Sequence, residues 1–247
     1  MSREPSFRLF YFDPMSHVTA IVLAAGEGRR MAAGTSKSYI PIAGRPLVLR
    51  TLDRVFSAQA IETVVLVVGA GELERCESML RADSPLKDRH WLLQVGGSTR
   101  QQSARRGLDR VESDCDIILI HDGARPLVSA RLIDRCVETA AQKRAVVAGL
   151  PVRDTIKTVS SDQWIESTPD RSALWEIQTP QAFEKGLIVA AHEWAERQGI
   201  QATDDAMVVE RIGTPVYVIE GERTNFKITL PEDVWLAESL IRGGRLP

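Results

Sequence analysis

Five short apolar runs, each followed by a segment with helical periodicity, constrain the fold of this chain more than any other feature. Each run has the composition of a buried strand, and no tight hairpin separates one run from the next. Consecutive strands are therefore expected to run parallel, with helices on both faces of the sheet. The sequence predicts a doubly wound, mostly parallel α/β fold. The predicted strands span 20–25, 62–68, 91–95, 117–121 and 145–150, and the predicted helices span 46–58, 71–81, 100–111 and 130–142.

The pattern changes after the fifth run. Residues 152–159 alternate apolar and polar side chains, which is the period of a half-exposed strand. Residues 164–171 can run back beside them, and 174–178 resume an apolar strand. We therefore expect a two-stranded β-arm over 151–173, and a second subunit to cover it, because an isolated hairpin is marginally stable in water. The remaining predicted elements are helices over 183–197, 204–212 and 231–241 and a strand over 215–219.

The loop after the first predicted strand combines glycine with positive charge. Gly26 and Gly28 let the backbone turn sharply and approach a ligand without a Cβ in the way. Arg30 and Lys37 follow within reach of that loop. Bare amides and fixed positive charge at the end of a strand suit a polyphosphate. The glycines alone fit an ordinary turn equally well, because a lone Gly-x-Gly is a weak signal.

Two further loops place glycine and charged or polar residues at the ends of predicted strands. Gly96-Gly97-Ser98-Thr99 ends the third strand and offers a capping residue to the following helix. Asp122-Gly-Ala-Arg-Pro126 follows the fourth strand. Ligands of such sheets bind at the carboxyl ends of the strands, where the strand order reverses. The three loops therefore predict one binding site at this edge.

Composition excludes several classes of function. The 31 basic and 33 acidic residues give a net charge of −2, which argues against nucleic-acid binding by a basic surface. No apolar run approaches the length that spans a bilayer, so no membrane partner is expected. Cys76, Cys115 and Cys136 form neither a zinc pattern nor a disulfide framework, which favours a reducing compartment and a cytoplasmic location.

The 247 residues suit one large α/β domain. Residues 1–17 are expected to be a disordered N-terminal extension, because their apolar stretch is short and is interrupted by Asp13-Pro14. Residues 18–247 are expected to form a single domain into which the β-arm is inserted.

Eight motifs occur in order along the chain. They are Ala24-Ala-Gly-x-Gly-x-Arg-Met31, Gly96-Gly97 with Arg100 and Ser103, His121-Asp-Gly-Ala-Arg-Pro126, Pro151-Val-Arg-Asp-Thr-Ile-Lys157, Asp170-Arg171, Gln178-Thr-Pro-Gln181, Thr203-Asp-Asp-Ala206 and Asn225-Phe-Lys-Ile-Thr229. Over residues 18–241 this order resembles the 2-C-methyl-D-erythritol 4-phosphate cytidylyltransferase family of the non-mevalonate isoprenoid route. The first motif is shared with many sugar-nucleotide transferases, whereas the arm and the Thr-Pro-Gln segment narrow the choice. The resemblance implies a Rossmann-like nucleotidyltransferase domain that dimerises through its β-arm.

The resemblance also implies a reaction. A cytidylyl group passes from CTP to 2-C-methyl-D-erythritol 4-phosphate, giving 4-diphosphocytidyl-2-C-methyl-D-erythritol and pyrophosphate. The substrate phosphate attacks the α-phosphorus in line and needs no general base, so catalysis depends on positioning and charge neutralisation. A divalent cation, expected to be Mg²⁺, would ride mainly on the CTP phosphates, with Asp122 as the nearest protein ligand.

Functional residues of the family are carried over by their positions in the motifs. Arg30 and Lys37 correspond to the pair that stabilises charge on the CTP phosphates, and Arg171 and Lys227 to the pair that holds the incoming phosphate. In the family the arm crosses to the other subunit, so Thr155 and Arg171 would complete the partner's site. The resemblance implies nucleotide contacts at Ala24, Ala25, Gly26, Gly28, Gly97, Ser103, Asp122 and Ala124, and substrate contacts at Asp122, Arg125, Thr155, Thr179 and Thr203.

Some positions depart from the family pattern or have a structural explanation. Ser36 and Ser38 flank Lys37 where the family usually has proline and glutamine, and alanine is commoner at position 123 than the glycine here. Asp122 could instead pair with a neighbouring arginine as a surface salt bridge.

Two alternative functions stay open at this stage. A ribitol 5-phosphate cytidylyltransferase would share the fold and the opening loops, although Gly123-Ala124 favours the erythritol enzyme. The alternative of another class is a catalytically inactive nucleotide-binding regulator. Retention of Arg30, Lys37, Arg171 and Lys227 argues against it, because a pure binder could lose the second pair.

Overall fold

A seven-stranded sheet organises the computed structural model, which describes residues 17–26 and 37–244. Its strand order is β11-β7-β10-β6-β1-β4-β5. The eleven strands of the described residues are β1 (Val18–Leu23), β2 (Pro41–Ile42), β3 (Arg45–Pro46), β4 (Thr63–Val68), β5 (His90–Val95), β6 (Ile117–Asp122), β7 (Ala145–Pro151), β8 (Thr158–Val159), β9 (Ile165–Ser167), β10 (Trp175–Glu184) and β11 (Tyr217–Glu220). Their α-helices are α1 (Leu47–Phe56), α2 (Leu73–Ala82), α3 (Arg100–Leu108), α4 (Ala130–Lys143), α5 (Lys185–Arg197), α6 (Asp205–Arg211) and α7 (Pro231–Arg242).

Most strand pairs of the main sheet are parallel, as the sequence predicts. β1 pairs in parallel with both β4 and β6, so the chain winds outward in two directions from β1. This is the point at which the strand order reverses. Because loops at the carboxyl ends of the two central strands diverge there, a crevice opens between them.

Alternate residues of β1 feed two separate cores. Ala20 and Val22 belong to the cluster that includes α1, α2 and α4, whereas Ile21 belongs to the cluster that includes α3, α5 and α6. All three side chains are 0% exposed. Helices on both faces explain why the central strands are almost wholly apolar, and the doubly wound prediction is confirmed.

β10 is the main departure from the predicted arrangement. It runs antiparallel to both β6 and β7, and it extends to Glu184. The sequence predicts a helix from Phe183, which is wrong at its first two residues. Phe183 is fully buried in the sheet between Ile118 and Ala145, so tertiary packing overrides the local helical pattern there.

The predicted arm is present but carries less strand than expected. Only Thr158–Val159 and Ile165–Ser167 pair, so the prediction of a strand over the whole of 152–159 is wrong. Apolar side chains of this arm lie in solvent: Val159, Trp164 and Ile165 are 52%, 77% and 63% exposed. The apolar side chains whose alternation predicted a strand are therefore exposed within one subunit.

Two other expectations meet the limits of the described residues. The predicted N-terminal extension spans residues 1–17, of which residues 1–16 lie outside the described part. No helix among the described residues is both long and apolar enough to cross a membrane.

Candidate active site

A cavity of about 570 Å³ opens at the carboxyl ends of β1, β5 and β6, where the three glycine-containing loops meet. The sequence predicts a site at this edge of the sheet. The predicted site residues that line the cavity are Ala24, Ala25, Gly26, Lys37, Gly97, Ser103, Asp122, Ala124 and Lys227. Gly28 and Arg30 lie outside the described residues.

The segment after β1 is tied to its neighbours at both sides. The Ala24 amide donates to the Val67 carbonyl oxygen at 2.7 Å, and the Ser38 hydroxyl donates to the Ala24 carbonyl oxygen at 2.7 Å. Ser38 is buried and lies in the short 3₁₀ helix Lys37–Tyr39. This bond connects Ala24 to the element that carries Lys37, at one of the positions where the sequence departs from the family pattern.

Close packing explains the glycine pair after β5. A Cβ added at Gly96 would lie 2.4 Å from the Ala25 Cβ, and one at Gly97 would lie 2.3 Å from the Gln102 Cβ. The Gly97 amide donates to Ser103 Oγ at 3.1 Å, and Ser103 Oγ donates to the Thr99 carbonyl oxygen at 2.9 Å. The Ser103 hydroxyl therefore shapes the loop at the wall of the cavity.

Asp122 is surrounded by three cations. Its Oδ2 accepts from Lys227 Nζ at 2.8 Å, its Oδ1 accepts from Arg100 Nε at 3.2 Å, and Arg125 Nε lies 3.8 Å from Oδ2. The side chain is 9% exposed. Burial opposes ionisation, but the charges of Arg100 and Lys227 outweigh it and hold the pKa of Asp122 well below its usual range. The carboxylate is therefore an ionised acceptor in the wall of the cavity.

A buried asparagine fixes the backbone that carries Lys227. Asn225 Nδ2 donates to the Thr179 carbonyl oxygen at 2.8 Å and to Gln178 Oε1 at 3.2 Å. On the other side of Lys227, the Ile228 amide donates to the Ala124 carbonyl oxygen at 2.8 Å. The spacing Asn-x-Lys-x-Thr thus anchors the segment against β10 and the loop after β6, and it directs Lys227 into the cavity.

His121 and Thr179 support Asp122 from behind. The Thr179 hydroxyl oxygen accepts from the Asp122 amide at 3.0 Å, so its own proton is directed to His121 Nδ1 at 3.1 Å. His121 Nε2 then donates to the Arg125 carbonyl oxygen at 3.2 Å. This pattern requires a neutral imidazole, and burial lowers the pKa of His121 to about 4.

The neutral His121 gives a stability prediction with a defined sign. Because its folded-state pKa of about 4 lies below the usual value of 6.5, the unfolded chain binds the proton first as the pH falls. Stability from this group is complete above pH 6.5 and is lost towards pH 4, an effect of about 3 kcal/mol. Denaturant unfolding at about pH 7 and about pH 4.5 should show this loss, and His121→Gln should reduce it.

A matched control for that measurement is His90→Gln. The His90 side chain is 54% exposed and contacts Thr63 Oγ1 at the edge of the sheet. Its Nε2 lies 3.9 Å from Glu112 Oε1 at the surface, where such contacts contribute little, so its replacement should change the pH dependence of the unfolding free energy by less than His121→Gln does. An unchanged dependence in His121→Gln would contradict the assignment.

Five other predicted site residues, four assigned to substrate binding and one (Arg171) to catalysis, lie outside the cavity wall. Arg125 lies beneath Asp122 and donates from Nη1 to the Asn225 carbonyl oxygen at 2.7 Å, and Thr179 is 4% exposed with its hydroxyl already engaged. Thr203 is exposed just before α6. Thr155 and Arg171 lie on the arm, where Arg171 Nη1 donates to the Arg153 carbonyl oxygen at 2.6 Å. Within one subunit, the structure does not bring these five residues to the cavity as a group.

Sequence reasoning assigned no role to Arg100, although it lines the cavity. Arg100 Nη1 lies 2.8 Å from Asp205 Oδ2, and Asp205 Oδ1 lies 3.1 Å from His192 Nε2. Burial disfavours the charged Asp205 and Arg100, yet their mutual attraction lowers the pKa of Asp205 and raises the pKa of Arg100. The sequence feature that could have identified Arg100 as a site residue is its place in the same motif as Gly97 and Ser103.

The described residues do not form a protein-built metal site. Among them there is no group of three or more histidine, cysteine, aspartate or glutamate side chains that could hold an ion. Asp122 is the acidic residue of the described cavity wall, and both of its oxygens already face cations. The donor set therefore does not fit an ion bound by the protein alone, and Asp122 as a ligand stays a prediction.

The fold and the site together define the class of this protein. A doubly wound α/β sheet carries, at its reversal point, a cavity lined by glycine-containing loops and by lysines on two sides. These are the features of a nucleotidyltransferase, in which backbone amides and fixed cations receive phosphate groups.

Comparison with known proteins identifies the family. The family model IspD, described as 2-C-methyl-D-erythritol 4-phosphate cytidylyltransferase, matches residues 18–243. The chain belongs to this family. It is 40% identical over 230 residues to the 2-C-methyl-D-erythritol 4-phosphate cytidylyltransferase of Caldanaerobacter subterraneus subsp. tengcongensis, which covers 92% of this chain and 99% of the relative. The enzyme of the same name from Geobacillus kaustophilus is 44% identical, covering 90% and 96%.

Solved structures agree with the family assignment. A 4-diphosphocytidyl-2C-methyl-D-erythritol synthase from Anaerococcus prevotii superposes with a TM-score of 0.81 at 31% identity, covering 92% of this chain and 96% of that one. The 2-C-methyl-D-erythritol 4-phosphate cytidylyltransferase of Thermus thermophilus gives 0.75 at 35% identity, covering 92% and 99%. The mixed α/β fold and its mostly parallel sheet are therefore those of the family.

Proposed function

We propose that this chain transfers a cytidylyl group from CTP to 2-C-methyl-D-erythritol 4-phosphate and releases pyrophosphate. The observation that carries the proposal is the pair of lysines, Lys37 and Lys227, in the wall of one cavity together with the ionised Asp122. Family membership supplies the identity of the two substrates. In the reaction of this family the substrate phosphate is itself the nucleophile, so the described wall of the cavity needs to supply only positioning and charge.

The residues of the cavity divide by the part of the reaction they serve. The loop at Ala24–Gly26, with Gly97 and Ser103, receives the nucleotide, and Lys37 faces the charge of its phosphates. Lys227 binds the incoming phosphate, and Asp122 accepts hydrogen bonds from hydroxyl groups of the substrates. Such an arrangement accelerates transfer by fixing the reactants in line and by compensating charge that shifts to the leaving pyrophosphate.

We propose that the arm completes the site of a second subunit. Arg171 and Thr155 lie on the arm and outside the cavity of their own subunit, and the apolar side chains of the arm are exposed. A C2 dimer would cover those apolar side chains on both subunits at once. Arg171 of one subunit would then join Lys227 of the other at the incoming phosphate.

We propose that Mg²⁺ accompanies CTP instead of occupying a site in the protein. Asp122 offers one carboxylate among three cations, which is a poor binding site for a bare ion. When bound to the triphosphate, the ion supplies charge neutralisation there. The residues of this chain need only recognise the resulting complex.

The test of the function is incubation with CTP, Mg²⁺ and one phosphate substrate at a time. Pyrophosphate release should depend on 2-C-methyl-D-erythritol 4-phosphate, and the product should carry the cytidine diphosphate group. Turnover of ribitol 5-phosphate alone would show that the alternative transferase is the correct one. Binding of CTP with no turnover of either substrate would favour the regulator.

A further inference from the structure

Arg100 contacts two carboxylates that belong to different elements. It is the first residue of α3, and it donates from Nε to Asp122 Oδ1 at 3.2 Å while Nη1 lies 2.8 Å from Asp205 Oδ2 at the start of α6. Asp205 is 1% exposed and also pairs with His192 on α5. The guanidinium therefore connects a carboxylate in the cavity wall to the buried, hydrogen-bonded Asp205 and His192 behind it.

Lys227 cannot keep its full hydrogen-bonded ion pair with Asp122 while it binds a substrate phosphate. Its Nζ lies 2.8 Å from Asp122 Oδ2 in the structure without substrate. An incoming phosphate competes for the same ammonium group. If Lys227 turns to the phosphate, Asp122 remains 9% exposed and must keep another cation, because an uncompensated buried charge is costly.

We infer that Arg100 is a positioning residue for the transfer reaction. Anchored on Asp205, it holds Asp122 in place and compensates its charge while Lys227 engages the substrate phosphate. Arg125, at 3.8 Å from Asp122, is too distant to do this alone. This inference rests on the proposed function, because it needs a phosphate substrate that competes for Lys227.

The chemistry of the side chain explains why arginine stands at this position. A guanidinium presents several N–H groups in a rigid planar fork, so it can donate to two carboxylates in different directions at once. A lysine ammonium has the charge but reaches from a single nitrogen. Arg100→Lys should therefore keep only part of the effect.

The kinetic test compares Arg100→Met and Asp205→Asn with Arg105→Met. Arg105 lies on the same helix and is 24% exposed against 25% for Arg100, but it pairs with Asp109. In the first two variants Lys227 should stay bound to Asp122, so KM for methylerythritol phosphate should rise about tenfold or more, with kcat within about threefold of wild type. Arg105→Met should stay within about twofold in both constants. A loss of kcat with unchanged KM would overturn the inference.

A double-mutant cycle asks whether Arg100 acts through Asp122. In an Asp122→Asn background, Arg100→Met should change KM by less than about twofold, because the carboxylate that it positions is already neutral. An effect as large as in the wild-type background would mean that Arg100 acts independently of Asp122, and the inference would fail.

A structural readout separates this inference from the proposed function. Crystal structures of Arg100→Met and Arg105→Met without substrate should show the Asp122 carboxylate displaced away from residue 100 in the first variant only. If the wild type releases no pyrophosphate from CTP and methylerythritol phosphate, the proposed function fails, while the displacement still tests the positioning of Asp122. An unmoved Asp122 would overturn the inference at any level of activity. If Arg100→Met does not fold, Asp205→Asn takes its place in each comparison.

Discussion

Replacement of Lys227 by methionine is expected to lower kcat/KM for methylerythritol phosphate on the order of a thousandfold, the scale at which loss of a preorganised charge contact acts. Lys227 is 40% exposed and reaches the cavity from a segment fixed by Asn225 and Ile228. The backbone that carries Lys227 is therefore already in place, and only the side chain has to turn from Asp122 to the phosphate. Methionine retains the length of the side chain and removes the charge, so the measured loss reports the electrostatic contact. Initial rates of pyrophosphate release over a range of both substrates provide the constants.

Lys185→Met is the matched control for this variant. Lys185 Nζ also has fixed partners, donating to the carbonyl oxygens of Glu112 and Ser113, but it lies outside the cavity wall. Its replacement should leave kcat/KM within about twofold of the wild-type value. Asp122 keeps Arg100 and Arg125 in Lys227→Met, so both variants should fold. Equal losses in the two variants would show that Lys227 acts through general charge or stability.

The sequence predicts most of the fold because each central strand can be recognised from its own apolar run of residues. The runs at 62–68 and 117–121 become β4 and β6 within about one residue at each end, since a strand that is buried on both faces must be apolar throughout. β10 departs from this pattern because three of its buried residues, Gln178, Thr179 and Gln181, are polar. Gln181 is 1% exposed, and its side-chain oxygen accepts from the amides of Asp205 and Ala206. No local pattern shows that a polar side chain will be buried when its partners lie more than twenty residues away.

The candidate site likewise has features that the local sequence predicts and others that it does not. Loops at strand ends are visible in the sequence, and so the position of the cavity could be predicted. The ion pair of Asp122 with Lys227 joins residues 105 positions apart, and only the resemblance to a family brought the two together. Arg100 lies in one of the motifs, yet its function depends on Asp205 and His192, which are contributed by two later helices. Because the contacting residues of this network are far apart in the sequence, their spacing does not predict the network.

Mixing two inactive variants is expected to restore activity if the arm serves the neighbouring subunit. Arg171→Ala removes the proposed arm contact, and Lys227→Met removes the contact within the core. In a mixed dimer, one site combines an intact core with an intact arm, whereas the other site has both defects. Because half of the dimers are mixed after random exchange and each has one intact site, activity should return to about a quarter of wild type.

The same experiment excludes an arm that folds back on its own subunit. In that case each subunit of a mixed dimer would keep its single defect, and mixing would restore nothing. A suitable control exchanges Arg153→Ala for Arg171→Ala, because Arg153 lies on the same arm and offers its backbone carbonyl, not its side chain, to Arg171. Arg153→Ala should be active without mixing.

Sedimentation of the variants measures the oligomeric state, and a monomer with full wild-type activity would contradict the shared site. The exposed apolar side chains of the arm and the absence of Arg171 from the described cavity wall would then need separate explanations, whereas the dimer accounts for both with one contact.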